Sequence, residues 1–160
     1  MVSKIITKKS GIHGNGIFAN QDIKKGETVF IFKGKVIHWK VHDQKTSLYG
    51  PNWIGIGKSK WMDILAPGIH TNHSCNPNCG IKGKVKLVAL KDIETGEEIT
   101  LDYSITEIDK LWYMKCNCGS KNCRKVVRSI QFLPNKIYSR YVPYIPTYFM
   151  KVYNVFHANK

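Results

Sequence analysis

Apolar positions in the first two-thirds of the chain come in short runs broken by Gly, Asp and Asn. Residues 29–32, 36–39, 53–56 and 85–90 are such runs, rich in β-branched or aromatic side chains. Those side chains suit a pleated, half-buried surface, so each run predicts a strand. Residues 98–103 alternate polar and apolar positions with the period of two that a strand requires. No stretch before residue 104 sustains a helical apolar period over three turns. The C-terminal part differs. Pro134, Pro143 and Pro146 divide a segment carrying Tyr138, Tyr141, Tyr144, Tyr148, Phe149, Tyr153 and Phe156. Proline suits the first turn of a helix, so short helices are predicted over 135–142 and 147–156. Tyr141, Tyr144 and Tyr148 then fall at i, i+3 and i+7. That stripe reads either as core or as the wall of a substrate groove. The fold class is mainly β, with short C-terminal helices.

Two segments repeat. Residues 19–27 and 89–97 share the pattern A-x-x-D-I-x-x-G-E, and each leads into an apolar strand. The Asp can accept nearby backbone N–H groups and the Gly can take positive φ, so each copy reads as a turn between strands. Two copies are too few for a solenoid. They read as two similar β-turn-β units of one fold.

The length of 160 residues suits one domain with a real core. The charge is uneven. Lys and Arg total 25 against 11 Asp and Glu, a net of +14, yet residues 110–160 hold ten basic residues and no acid. Such a segment points to an anionic partner (nucleic acid, an acidic protein or anionic lipid) or to a well-solvated surface. No apolar run approaches the ~18–20 residues of a membrane span. The N-terminus shows no secretory h-region. Five clustered cysteines argue against a disulfide framework, so an intracellular, reducing compartment is expected.

The strongest chemical signal is Cys116-x-Cys118-x4-Cys123, in a polar loop flanked by lysines. Thiolate sulfur suits Zn²⁺, and a structural zinc wants four ligands. A remote fourth ligand is therefore expected, from Cys75 or Cys79. Gly14-Asn15-Gly16-Ile17-Phe18-Ala19 matches G-x-G-x-x-A, but a turn follows where a dinucleotide fold needs a helix. It reads as a turn, or as a loop whose backbone approaches a small ligand. Asn72-His73-Ser74-Cys75 crowds polar side chains around one candidate metal ligand, and Asp102-Tyr103 closes a strand.

In this order, the four signals resemble a SET-domain protein-lysine methyltransferase. Residues 11–18, GIHGNGIF, resemble the family's N-terminal Gly-rich motif. Residues 72–78, NHSCNPN, are similar to its N-H-S-C-x-P-N motif, and residues 96–103, GEEITLDY, to G-E-E-L-x-F/Y-D-Y. Cys116 to Cys123 looks like the zinc-binding post-SET segment. The resemblance implies a β-fold of short sheets with a knot-like crossing of the N-H-S-C loop and the D-Y strand. It implies a SET domain over 4–110, a post-SET segment over 111–125 and a basic, aromatic extension over 126–160. It implies S-adenosylmethionine bordered by His13, Gly14, Asn15 and Gly16, bound by Asn72 and His73, and closed over by Asn117. Trp53 falls near an aromatic cofactor contact. One structural Zn²⁺ would be held by Cys75, Cys116, Cys118 and Cys123, leaving Cys79 spare.

Tyr103 would orient the target amine, and Leu101 would line the lysine channel. The family often has Phe or Tyr at that second position, and a Leu without a hydroxyl predicts di- or trimethylation. The aromatic tail is expected to supply a wall of the channel. The substrate class would be histone-like, nucleoid or other DNA-associated protein, with DNA or an acidic surface met by residues 110–160. The protein would then be nuclear or nucleoid-associated if its substrate is chromatin. The competing classes are a basic, zinc-stabilised nucleic-acid-binding module and a SET-like adaptor without catalysis.

Overall fold

The structure, a computed structural model, describes residues 3–38 and 52–159. Trp39, the last residue of one expected strand, lies outside the described residues. Twelve strands form three sheets among the described residues. The largest runs β1 (Ile5–Lys9), β2 (Asn15–Ala19), β10 (Glu98–Leu101), β8 (Cys79–Lys82), β9 (Lys86–Ala89) and β3 (Thr28–Ile31). β7 (Asn72–His73) joins it beside β10. A second sheet has the order β4 (Gly34–His38), β6 (Lys60–Ile64), β5 (Trp53–Gly57). A hairpin of β11 (Tyr113–Lys115) and β12 (Val126–Arg128) is the third. Helices α1 (Asn135–Tyr141) and α2 (Thr147–Ala158) follow.

The two A-x-x-D-I-x-x-G-E segments bind each other. Ile23 and Ile93 exchange backbone bonds at 2.9 Å each way. Asp22 Oδ1 accepts the N–H and the hydroxyl of Thr95, and Asp92 Oδ1 accepts the N–H of Lys25. Gly26 and Gly96 take φ of +81° and +90°, a region that an L side chain enters only with strain. Each repeat thus caps the other, with Ile23 and Ile93 fully buried between them. This mutual clasp delivers β10 to the middle of the large sheet.

One apolar cluster takes in Ile17, Ile81, Ile99 and Leu101 from the sheet together with Tyr141, Phe149 and Tyr153 from the helices. A Cβ on Gly55 would stand 2.5 Å from both Phe149 Cζ and the Thr106 carbonyl, so the glycine lets α2 lie directly on β5. The aromatic tail is therefore core. Among the described residues it contributes nothing to the cavity beside Leu101 and Tyr103, whose outer wall comes from residues 112–114 instead. The expected strand over 98–103 also stops early. Asp102 accepts the Ser104 N–H at 3.0 Å and caps a 3-10 turn (Tyr103–Thr106), which swings Tyr103 out of the ladder.

Candidate active site

β10 brings the distant motifs together. Its Glu98 and Ile99 pair with Phe18 and Ile17, while Thr100 and Leu101 run parallel to Asn72 and His73. Asn78 fills the gap in this ladder. Its amide donates to the Glu98 carbonyl at 2.8 Å and its side-chain oxygen accepts the Thr100 N–H at 2.9 Å. The last Asn of the N-H-S-C-x-P-N run thus replaces a strand partner, a role that its sequence context did not reveal.

Asn72 ties the Gly-rich loop to β10. Its Nδ2 lies 3.1 Å from the carbonyls of His13 and of Asn15 and 2.8 Å from Glu98 Oε1. A Cβ on Gly16 would sit 2.3 Å from that same carboxylate oxygen, so a larger residue there would have to push the Glu98 carboxylate off Asn72. Gly14, at φ +49°, makes the exposed turn.

Two cavities meet at Tyr103. The first, about 280 Å³, lies between the Gly-rich loop and the cysteine loop and is bordered by His13, Asn72, His73 and Asn117. The second, about 300 Å³, is bordered by Trp53, Ile54, Leu101, Glu107 and Trp112. Tyr103 and Met114 border both. Trp53 borders the second cavity and not the one bordered by His13, Asn72, His73 and Asn117. The reason is topological: β5 belongs to the second sheet, which packs on the Leu101–Thr106 side of Tyr103.

The Tyr103 hydroxyl donates to the Thr71 carbonyl at 2.8 Å. Burial pushes its pKa up to about 12, so it keeps its proton at neutral pH. With that proton committed to Thr71, the oxygen offers lone pairs to an incoming N–H donor. The Tyr103 N–H donates to His73 Nδ1 at 3.1 Å. Nδ1 is therefore the acceptor, and Nε2 carries the proton toward Cys75 Sγ, 3.4 Å away. Burial holds His73 neutral, its pKa lowered to about 4; the Asp102 carboxylate opposes that shift and Arg124 adds to it.

The sulfurs of Cys75, Cys116, Cys118 and Cys123 all lie within 4.8 Å of one another, with Cys75 and Cys116 3.8 Å apart. Zn–S bonds of ~2.3 Å in a tetrahedron place sulfurs ~3.8 Å apart, so the four residues fit a zinc ion. The N–H groups of Cys75 and Arg124 point at the Cys118 and Cys75 sulfurs, at 3.4 and 3.3 Å. Such donors stabilise thiolates. Cys79 is instead fully buried in the apolar core, where burial pushes its thiol pKa well up.

The SET domain profile matches residues 14–104, more than half of the chain. The protein belongs to the SET-domain family. Human histone-lysine N-methyltransferase 2B is 34% identical over 132 residues, covering 73% of this chain and 5% of that one. The H3 lysine-4 specific histone-lysine N-methyltransferase of Schizosaccharomyces pombe is 36% identical over 132 residues, covering 72% of this chain and 14% of that one. The chain thus spans only a small share of these relatives. Among solved structures, an active polycomb repressive complex 2 in the basal state matches with TM-score 0.51 and 25% identity, over 62% of this chain and 15% of that one. A humanized mutant of the Chaetomium thermophilum polycomb repressive complex 2 matches with TM-score 0.53 and 23% identity, over 66% and 15%; this second likeness is one of fold.

Proposed function

We propose that the protein transfers methyl groups from S-adenosylmethionine to the ε-amine of lysine in a chromatin protein of the histone class. The observation that carries this reading is the position of Tyr103 as the shared wall of two cavities. Methyl transfer from a sulfonium to an amine is an in-line displacement, so it needs donor and acceptor on opposite sides of one point. In this reading the cofactor occupies the cavity bordered by His13, Asn72, His73 and Asn117. On the Gly-rich loop the residues lining this cavity are Ile12 and His13, and Gly14, Asn15 and Gly16 would act by setting the path of that loop. The target lysine enters past Trp53 and Trp112 and meets Leu101 and Tyr103.

Tyr103 accepts an N–H of the amine and turns the nitrogen lone pair toward the methyl carbon, while its ring borders the cationic centre. The amine must be neutral to attack. An apolar cavity and the nearby sulfonium both favour the neutral form. Cys75, Cys116, Cys118 and Cys123 would hold Zn²⁺, which would fix the loop carrying Asn117. His73 would donate its Nε2 proton to the Cys75 thiolate, linking the metal to the Tyr103 backbone.

The histone class is supported by the names of the relatives and by the basic segment after residue 109. A strongly basic surface repels a lysine-rich tail but attracts the DNA or acidic protein surface beside it. The place of action that follows is chromatin, in a nucleus or nucleoid. No helix among the described residues is long and apolar enough to cross a membrane.

The experiment is incubation with methyl-labelled cofactor and, separately, free histones, nucleosomes and a lysate. Label on a histone lysine, greater on nucleosomes and reduced by salt, is expected. Absence of label on every substrate, with no thermal stabilisation by the cofactor, would refute the reading.

A further inference from the structure

The second cavity contains a group that orienting an amine does not use. Glu107, immediately after the 3-10 turn, is the only carboxylate on its wall among the described residues, and it is only 7% exposed. Its Oε1 accepts the backbone N–H groups of Ile108 and Asp109, both at 2.8 Å. These bonds fix the carboxylate. Its Oε2 has no hydrogen-bond or ionic partner among the described residues. The Thr71 hydroxyl, also on this wall and buried, lacks a partner among the described residues as well. The neighbouring wall is apolar: Trp53, Ile54, Leu101, Trp112 and Met114. A buried hydroxyl without a partner is costly, and a carboxylate oxygen open to the cavity is free to accept a donor. A cation carrying several N–H donors would satisfy both, and a lysine ammonium carries three.

We infer that Glu107 is the cation anchor and proton acceptor of the target cavity, an assignment that rests on the methyltransferase reading. A lysine reaches the cavity as an ammonium, since its free pKa is near 10.4. Glu107 first pairs with it. One N–H bond then breaks, its electron pair stays on nitrogen, and the proton passes to Glu107 Oε2. Ammonium and carboxylate become amine and carboxylic acid, both neutral, a change that an apolar cavity favours. The nitrogen pair next forms the N–C bond while the C–S pair returns to sulfur. The carboxylic acid gives its proton to water once the product leaves.

The carboxyl suits this exchange. Burial pushes its pKa up to about 7; the N–H groups of Asp109 and Ile108 oppose the rise and the Asp109 charge adds to it. Asp109, Tyr103 and Tyr113 are the ionisable groups beside Glu107 or on the cavity wall. Strands β5, β6 and β10 bring none to that wall among the described residues. An acceptor with a pKa near the working pH is effective in proton transfer.

The test uses the full chain, labelled cofactor and a histone or peptide that the wild type methylates. If the wild type methylates nothing, the methyltransferase reading fails on its own. With an active wild type, Glu107→Gln should lower kcat/KM for the lysine substrate by about 10²-fold and leave the KM for the cofactor within about twofold. The wild-type profile should rise through pH 7, and this limb should vanish in the Gln variant. A peptide with thialysine, whose amine is less basic, should recover much of the lost rate in Glu107→Gln.

Folding is checked by melting against pH. The native state holds a proton between about pH 4.5 and 7 that the unfolded chain releases, so wild-type stability falls as pH rises through that window. Glu107→Gln should lose less across it. Should the Gln variant not fold, Glu107→Asp should keep the acidic limb at reduced kcat/KM. A folded Gln variant with unchanged profile and rate, or an Asp variant as active as wild type at every pH, would overturn the assignment.

Discussion

Arg124 Nη2 donates to Asp102 Oδ1 at 2.7 Å, joining the residue after the last clustered cysteine to the residue before Tyr103. Asp102 is fully buried, and Tyr141 of α1 donates to its other oxygen at 3.0 Å. One carboxylate therefore gathers three parts of the chain: the cysteine loop, the Tyr103 turn and the C-terminal extension. Its partners supply donors on both oxygens, the condition under which a buried charge is tolerated.

Removing that charge should unfold much of this arrangement. Asp102→Asn leaves the Arg124 guanidinium with a neutral partner in a largely buried site. A loss of about 3–5 kcal/mol in urea unfolding is expected. Tyr141→Phe deletes one bond from the same centre and should cost about 1 kcal/mol. An Asp102→Asn variant as stable as wild type would mean that the pair contributes nothing net.

The cysteines should divide cleanly. Cys79→Ala should retain one metal equivalent per chain, because Cys79 packs in the apolar core away from the cluster. Cys116→Ser should reduce metal content and melt the hairpin of β11 and β12, since the Cys116 N–H bonds the Lys125 carbonyl across it. Native mass spectrometry with and without a chelator reads both. Metal loss from Cys79→Ala would exclude the four-cysteine assignment.

Tyr103→Phe should lower kcat by roughly 10²-fold through lost orientation of the amine. Cofactor affinity, measured calorimetrically, should stay within a few-fold. The variant also loses the bond to the Thr71 carbonyl, at a cost of about 1 kcal/mol. Equal turnover in the variant would remove Tyr103 from the chemistry.

Leu101 is almost fully buried and lines the second cavity. Leu101→Phe would fill space that the amine needs as methyl groups accumulate. Mass spectrometry should show di- or trimethyl product with wild type and a shift toward monomethyl with the variant, at a packing cost of about 1–3 kcal/mol. A wild type that stops at monomethyl under excess enzyme would contradict the reading of Leu101.

The chain order of the motifs, the strand runs and both helices were legible because each depends on local pattern. Residues 53–56 and 85–90 became β5 and β9, and the proline-bounded segments became α1 and α2. Strands β1, β2, β6, β7, β8, β11 and β12 were not. β7 has two residues, and what makes it a strand is β10 lying beside it. Glu107 and Arg124 were equally silent, since a lone Glu or Arg has no signature until burial gives it one.

By itself, the sequence determined the family and, through the family's motifs, pointed to the cysteine set and to Tyr103, because those residues recur as spaced motifs whose chemistry is carried by residue type. Only the tertiary structure decided which side of Tyr103 each residue faces. It sent Trp53 to the second cavity, put the aromatic tail in the core, and left one oxygen of Glu107 unpaired in an apolar wall. These outcomes follow from strand pairing and burial between residues far apart in the chain, quantities that no local pattern contains.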